Sequence, residues 1–222
     1  MQKTIKVTGK GTISVKPDTI RLGITLRKTD MVYAAAVNLS ARQTEELRDE
    51  LVGAGFDREA LKTLSFCVEP KYEGYQDEHN RWVQKFTGYE CHHQMKLEFD
   101  ADNKTLGSVL YALARAKSAP EFTITYIVKE PEAARELLLK QAVSDSRRKA
   151  QVLAEAAGIT LGKIVHTDYS WESRELTSRP MNHLLYSKQS GGGEAGIIEV
   201  DLNPENILAF DIVTIEWEII DN

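Results

Sequence analysis

Apolar and polar residues alternate at the start of the chain. Ile5, Val7, Ile13 and Val15 keep a period of two around Gly9 and Gly11, which predicts a first strand. Glycines inside a strand predict a bulge or a close backbone approach. Lys16-Pro17-Asp18 is turn chemistry, and Ile20, Leu22, Ile24 and Leu26 then resume the alternation as a second strand. From Met31 the period lengthens. Val37, Ala41, Thr44, Leu47 and Leu51 recur at three- and four-residue steps and predict a helix over 31–52, stopped by Gly53 and Gly55. Leu64, Phe66 and Val68 mark a third strand with these side chains inward. The stretch 72–81 is rich in Gly, Gln, Asp and Asn and reads as a turn between long strands. The strand that follows, 82–99, carries Met95, Leu97 and Phe99 inward and a kink near Gly88.

A helix over 103–117 follows, with Leu106, Val109, Leu110 and Leu113 inward, and then a strand over 122–128. The longest helical pattern runs from Pro131, which suits a first helical position, to Gly158, which suits the residue just past the end. Leu139, Ala142, Val143, Ser146, Ala150, Leu153 and Ala157 fall on one face. Most are small, so the helix is expected to sit close against a sheet. Asp145 and Lys149 form an acid-first i,i+4 pair at the edge of that stripe, read as a helix-stabilising contact. Strands are predicted over 164–171, 198–202 and 207–220. In the last, Phe210 and Ile212 point inward, and Ile215, Trp217 and Ile219 change face at a bulge. The stretch 173–196 has no periodicity and includes Ser190-Gly191-Gly192-Gly193, so it reads as a long loop, mobile or ordered by a partner.

The order strand, helix, strand, strand occurs twice, around Ala54-Gly55-Phe56 and around Ala157-Gly158-Ile159. The expectation is an α+β fold of two β-α-β-β halves, residues 1–118 and 119–222, with helices packed on antiparallel-rich sheets. The second half holds the helix 131–157 and the loop 173–196.

With 222 residues, 42% apolar and 27% charged, the chain has the composition of an ordinary globular protein with a sizeable core. A net charge of −5 without a basic run argues against nucleic acid as a partner. No apolar run approaches the length of a membrane span. The opening Met-Gln-Lys-Thr-Ile-Lys-Val has no apolar signal core, so the expectation is a cytoplasmic protein as written, and a periplasmic one had a leader been removed. Two cysteines do not make a disulfide framework.

Several loose motifs occur in a fixed order: Ile5-x-Val7-x-Gly9-x-Gly11, Pro17-Asp18, Lys62-Thr63, Tyr72 and Thr87-Gly88-Tyr89. They are followed by Ala142-x-x-Asp145-Ser146-Arg147-x-Lys149-Ala150-x-x-Leu153-Ala154-x-x-Ala157-Gly158 and by Leu161-Gly162-Lys163-Ile164. In this order the sequence resembles the SIMPL domain family, also called DUF541, over nearly its whole length. The family's proline-glycine pair before the last strand is Asn203-Pro204-Glu205 here, without the glycine. The resemblance implies an α+β fold, self-association and a loose link to stress resistance. It supplies no catalytic residues.

Three constellations carry candidate chemistry. Cys91-His92-His93, with Cys67, His79, His166 and His183 as further partners, is a candidate zinc or copper site. Strand parity opposes it: Cys91 and His93 share the inward face, while His92 and Cys67 point outward. His166, Asp168 and Ser170 look like a triad, but residues two apart on a strand lie about 6.6 Å apart, too far for its hydrogen bonds. They read as a wet face, with Val165, Thr167 and Tyr169 inward. Tyr72, Tyr75, Trp82, Phe86 and Tyr89 cluster around one turn and read as a satellite apolar cluster or a subunit contact. No residue is assigned to catalysis, to a cofactor or to a metal. The expected function is that of a non-catalytic homo-oligomeric assembly or binding protein. The alternative is a small-molecule-binding or hydrolytic enzyme using the tyrosine-rich turn with Glu90 or His92.

Overall fold

The two alternating runs on either side of Lys16-Pro17-Asp18 enter two different sheets, as β1 (Thr4–Val15) and β2 (Thr19–Asp30). The computed structural model describes residues 3–169, 175–183 and 200–220, with the backbone alone for Asn182 and His183. After β2 come α1 (Tyr33–Gly53), β3 (Lys62–Gln76), β4 (Trp82–Asp100), α2 (Asn103–Arg115) and β5 (Glu121–Ile127). Then follow α3 (Glu132–Ala157), β6 (Thr160–Asp168), β7 (Met181–His183) and β8 (Ile207–Ile220). The pairings β1–β8, β6–β8, β2–β4, β3–β4 and β5–β7 are all antiparallel, as the expected α+β class requires.

The chain divides into two units, each gathered from separate stretches. One comprises Met1–Asp18, Ile127–Ser178 and Pro204–Asn222, the other Thr19–Tyr126 and Arg179–Asn203. In the first, α3 lies across a three-stranded sheet of order β1-β8-β6. Its buried face is the single row Leu138, Ala142, Ser146, Ala150 and Ala154, spaced by four. Ala142, Ser146 and Ala150 face the sheet as the small-residue stripe predicts. Val143, Leu153 and Ala157 do not: they are exposed, and Leu139 is half-buried. Gly9 and Gly11 explain the narrow row. A Cβ on Gly9 would stand 2.0 Å from the Ala142 carbonyl oxygen, and one on Gly11 2.0 Å from that of Leu138. At this range only one line of mostly small side chains fits under the helix. Gly158 ends α3 at φ 70°, the left-handed geometry its position predicts.

In β8, Ile207, Val213, Ile215 and Trp217 are buried, whereas Phe210 and Ile212 are exposed. Its register with β1 is continuous from Ile207 to Glu218, so the face change expected from a bulge does not occur. One phase runs the whole length, and its outward row is apolar at Leu208, Phe210 and Ile212. The strand expected over 164–171 is observed at Thr160–Asp168. Of the strand expected over 198–202, residues 200–202 are outside any strand and the rest lies outside the described residues.

In the second unit the sheet has the order β3-β4-β2-β5-β7. Ile20, Leu22, Ile24 and Leu26 of β2 and Met95 and Leu97 of β4 form its core face, as alternation predicts. They pack with Leu47 and Leu51 of α1 and with Leu106, Val109 and Leu113 of α2. The buried face of α1 is Ala36, Ser40, Thr44, Leu47 and Leu51, so Ala41 and Val37 are not part of it. Leu64 and Phe66, expected inward, are exposed. They lie on the edge strand β3, which α1 barely reaches, so alternation there has no helix to face.

Candidate functional site

The described residues hold three groupings of polar or aromatic side chains. The first sits on the core face of β4. His93 is buried and accepts or donates through both ring nitrogens, with Nδ1 2.9 Å from Thr44 Oγ1 on α1 and Nε2 2.9 Å from Thr63 Oγ1 on β3. Thr44 Oγ1 donates its one proton to the Ser40 carbonyl, 3.0 Å away. It therefore accepts from His93 Nδ1–H, and Nε2 accepts from Thr63. Burial pushes the His93 pKa down, with a further contribution from the Arg48 guanidinium. Phe66 packs edge-on against the ring at 5.2 Å. His93 thus ties the edge strand to α1 and has no lone pair left for a metal.

The second grouping is on the opposite face of the same sheet. Glu90 accepts from Lys71 Nζ at 2.6 Å and lies 2.7 Å from His92 Nε2, with Thr29 Oγ1 donating at 3.3 Å. The Lys71 hydrogen bond, chiefly, holds the Glu90 carboxyl below its usual range. Cys67 stands directly across from His92, while Cys91 is buried on the other face. The parity expected of the two cysteines is observed, and they do not pair. Among the described residues no group of three or more His, Cys, Asp or Glu side chains is placed to hold a metal ion. His166 pairs across from Glu216 in the other unit, and the His183 side chain lies outside the described residues. Glu90 and His92 lie on an open sheet face. Two cavities, of about 410 and 400 Å³, are lined by other described residues.

His166 and Asp168 do sit two apart on β6, and Ser170 lies outside the described residues. Val165, expected inward, is exposed, because α3 leaves most of β6 uncovered.

The third grouping is aromatic. β2 ends opposite Tyr89, but β3 and β4 continue to pair as far as Gln76 and Trp82, forming a two-stranded arm. A register shift at Lys71/Tyr72 inserts one extra residue in β4, and Gly88 takes φ 133° there. The bulge turns the three-residue step from Phe86 to Tyr89 into a same-face step. A Cβ on Gly88 would stand 2.6 Å from the Asp30 carbonyl oxygen. As a result Tyr72, Phe86, Tyr89 and Tyr33 form a row of edge-to-face rings with centroids 5.7, 5.3 and 5.6 Å apart. Trp82, 76% exposed, lies against Gly74 nearer the tip. The row continues the core face of β4 past the first turn of α1, where no helix covers it. Tyr33 belongs to it although no pattern along the chain points to it, since it comes from another element.

Asp145 and Lys149 form the expected i,i+4 pair, 2.7 Å apart, and reach beyond the helix as well. Asp145 Oδ2 accepts the Lys10 backbone N–H at 2.9 Å, Gln141 Oε1 accepts that of Thr12 at 3.1 Å, and Lys149 Nζ donates to the Thr8 carbonyl at 3.2 Å. Ser146 Oγ donates to the Val7 carbonyl at 3.1 Å. Asp145, Gln141 and Lys149 of α3 thus close the outer edge of β1. The only sequence signal was the spacing, Gly9-x-Gly11 against residues four apart on a helix.

A family model described as SIMPL, protein of unknown function (DUF541), matches residues 5–200. The chain is also similar to proteins named 26 kDa periplasmic immunogenic protein from Brucella melitensis and from Brucella abortus. Each is 24% identical over 177 residues, covering 80% of this chain and 68% of the relative.

Proposed function

Because the chain belongs to the SIMPL family, a family of unknown function, we propose that it is a non-catalytic protein that assembles with copies of itself. The aromatic arm carries this reading. A two-stranded ribbon alone is marginal in water, and this one displays Tyr72, Tyr75 and Trp82 to solvent. Tyrosine and tryptophan are the side chains enriched at interface cores. Glu90, Lys71 and His92 on the sheet face line neither of the two cavities of about 400 Å³, which favours binding over hydrolysis. The relatives' name places those proteins in the periplasm, and we extend that compartment, with a role in stress resistance, to this chain. No helix among the described residues is long and apolar enough to cross a membrane. Native mass spectrometry of the untagged protein tests the assembly. Multiples of the 25.0 kDa chain mass are expected, and Trp82→Ser should shift them toward the single chain. A monomer at micromolar concentration contradicts the reading.

A further inference from the structure

β8 has two edges with unlike fates. Toward β1 it is paired along its whole length, from Ile207 to Glu218. Toward β6 it is paired only from Thr214 onward, since Asp168 is the last β6 residue in register. Which groups face the unpaired stretch follows from β1. Lys10 and Thr12 N–H and the Thr8 carbonyl point to α3, away from β8. Odd-numbered β1 residues therefore aim their backbone groups at β8, and they stand opposite odd-numbered β8 residues: Gly9 opposite Val213, Gly11 opposite Asp211 and Ile13 opposite Ala209. Directly opposed residues are both hydrogen-bonded or both not. The backbone groups of Leu208, Phe210 and Ile212 therefore face the other way. Among the described residues Ile212 N–H is held by Asp211 Oδ1 at 2.8 Å, while Leu208 and Phe210 have no partner on that edge.

The unpaired edge borders a cavity of about 410 Å³. Its walls are β8 from Ile207 to Ile212, Arg135 and Leu138 of α3, and the segment Glu175–Thr177. That segment's own backbone is already engaged, with Thr177 bridged to Ile127 and the Leu176 carbonyl accepting from Val128 N–H. The groove is thus a slot beside a strand edge that no described residue pairs, with apolar Leu138, Leu176 and Ile207 on the α3 side. On the other side Leu208, Phe210 and Ile212 are 76%, 59% and 54% exposed. Asp211 closes one end: besides Ile212 N–H it accepts the Tyr169 hydroxyl at 2.8 Å.

We propose that this slot binds an extended, apolar peptide segment, which adds as a strand to β8 between Ile207 and Asp211. The bare N–H and C=O groups of Leu208 and Phe210 ask for a peptide backbone, which no compact metabolite offers at this spacing. The added strand gains cross-strand partners from the outward row on one face and from Leu138 and Leu176 on the other. Five residues of strand, Ile207 to Asp211, span roughly 17 Å, which sets the segment at about five residues. The same unit closes the opposite edge of its sheet with Asp145, Gln141 and Lys149. One edge is blocked and, among the described residues, the other has no backbone partner at Leu208 and Phe210 and an apolar row beside it, the pattern of an edge kept for a partner. This inference does not depend on self-assembly, because the aromatic arm belongs to the other unit.

The test uses an acetylated and amidated heptapeptide, Lys-Thr-Val-Thr-Val-Thr-Lys, and the same peptide N-methylated at its valines. On titration, amide hydrogen exchange at Leu208 and Phe210 should slow at least tenfold, with the N-methylated peptide leaving it unchanged. Leu208→Pro removes a slot-facing N–H and no β1 ladder bond, so it should weaken binding tenfold or more with an unchanged melting temperature. Equal effects of the two peptides would overturn the proposal, as would exchange at Leu208 and Phe210 that stays fast at millimolar peptide. Exchange already slow in the peptide-free protein at high dilution would also overturn it, because the edge would then be filled by the chain itself. Slow exchange that appears only as protein concentration rises would replace the peptide by a second copy.

Discussion

The Asp145 carboxylate accepts the backbone N–H of Lys10 at 2.9 Å, across 135 residues of sequence. Around it converge Lys149 Nζ at 2.7 Å and Arg148 at 2.7 Å, and these contacts, the Lys149 bond chiefly, hold the carboxyl far below its usual range. The pair fixes α3 along the edge of β1 and supplies a partner to a strand edge that would otherwise be bare.

Asp145→Ala is therefore expected to cost about 1–2 kcal/mol, below the roughly 1.5–3 kcal/mol of a buried hydrogen bond to a charged group because this one is open to solvent. A group with a depressed carboxyl pKa stabilises the fold above its unfolded value near 4, and that contribution is lost as pH falls below it. The wild-type melting temperature should accordingly fall more steeply than the variant's below about pH 4. Parallel pH profiles of the two proteins would show that Asp145 contributes nothing through Lys10 and Lys149.

Gly9→Ala should prevent or severely impair folding. Its Cβ would meet the Ala142 backbone at 2.0 Å, and backbone does not move aside as a flexible side chain can. Gly23→Ala is the control, since nothing lies within 4 Å of a Cβ there. Circular dichroism melts of the two should differ by well over 5 °C. Equal melts would mean that α3 does not sit at the observed distance.

Ala150→Leu should cost about 1–3 kcal/mol by overpacking. Leu153→Ala should change stability little, because Leu153 is exposed. The contrast shows what the sequence could and could not convey. Element order and the helix's small residues were readable from periodicity, as were the inward β2 row and the opposed cysteines. The phase of α3 was not, because apolar Leu153 and Val143 resemble core residues as strongly as Ala150 does. The glycines of β1 decide which row fits, and that match lies between distant stretches. Phe210 and Ile212 misled for a related reason: an apolar outward row is indistinguishable from a core row until its partner is known. Phe66 failed because alternation assigns faces without saying how far a covering helix extends. The aromatic row needed a bulge at Lys71/Tyr72 to bring Phe86 and Tyr89 onto one face.

His93 should titrate below the ordinary histidine value near 6.5, because its neutral ring is buried between Thr44 and Thr63. The unfolded chain then binds a proton that the folded one refuses. Stability from this group is complete above about pH 6.5 and declines as pH falls below it. Proton NMR of the imidazole resonances, with His93→Gln as the assignment control, measures the shift. A value at or above 6.5 would contradict the hydrogen-bond assignment.

Self-assembly through the aromatic arm is the central claim, and light scattering after size exclusion tests it most directly. At micromolar concentration the untagged wild-type protein should elute with a mass at least twice the 25.0 kDa of one chain. The double substitution Tyr72→Ser with Trp82→Ser should bring that mass down to one chain with the melt retained, since both side chains are exposed. A wild-type mass of 25.0 kDa, or an assembly that survives the double substitution unchanged, would contradict the account.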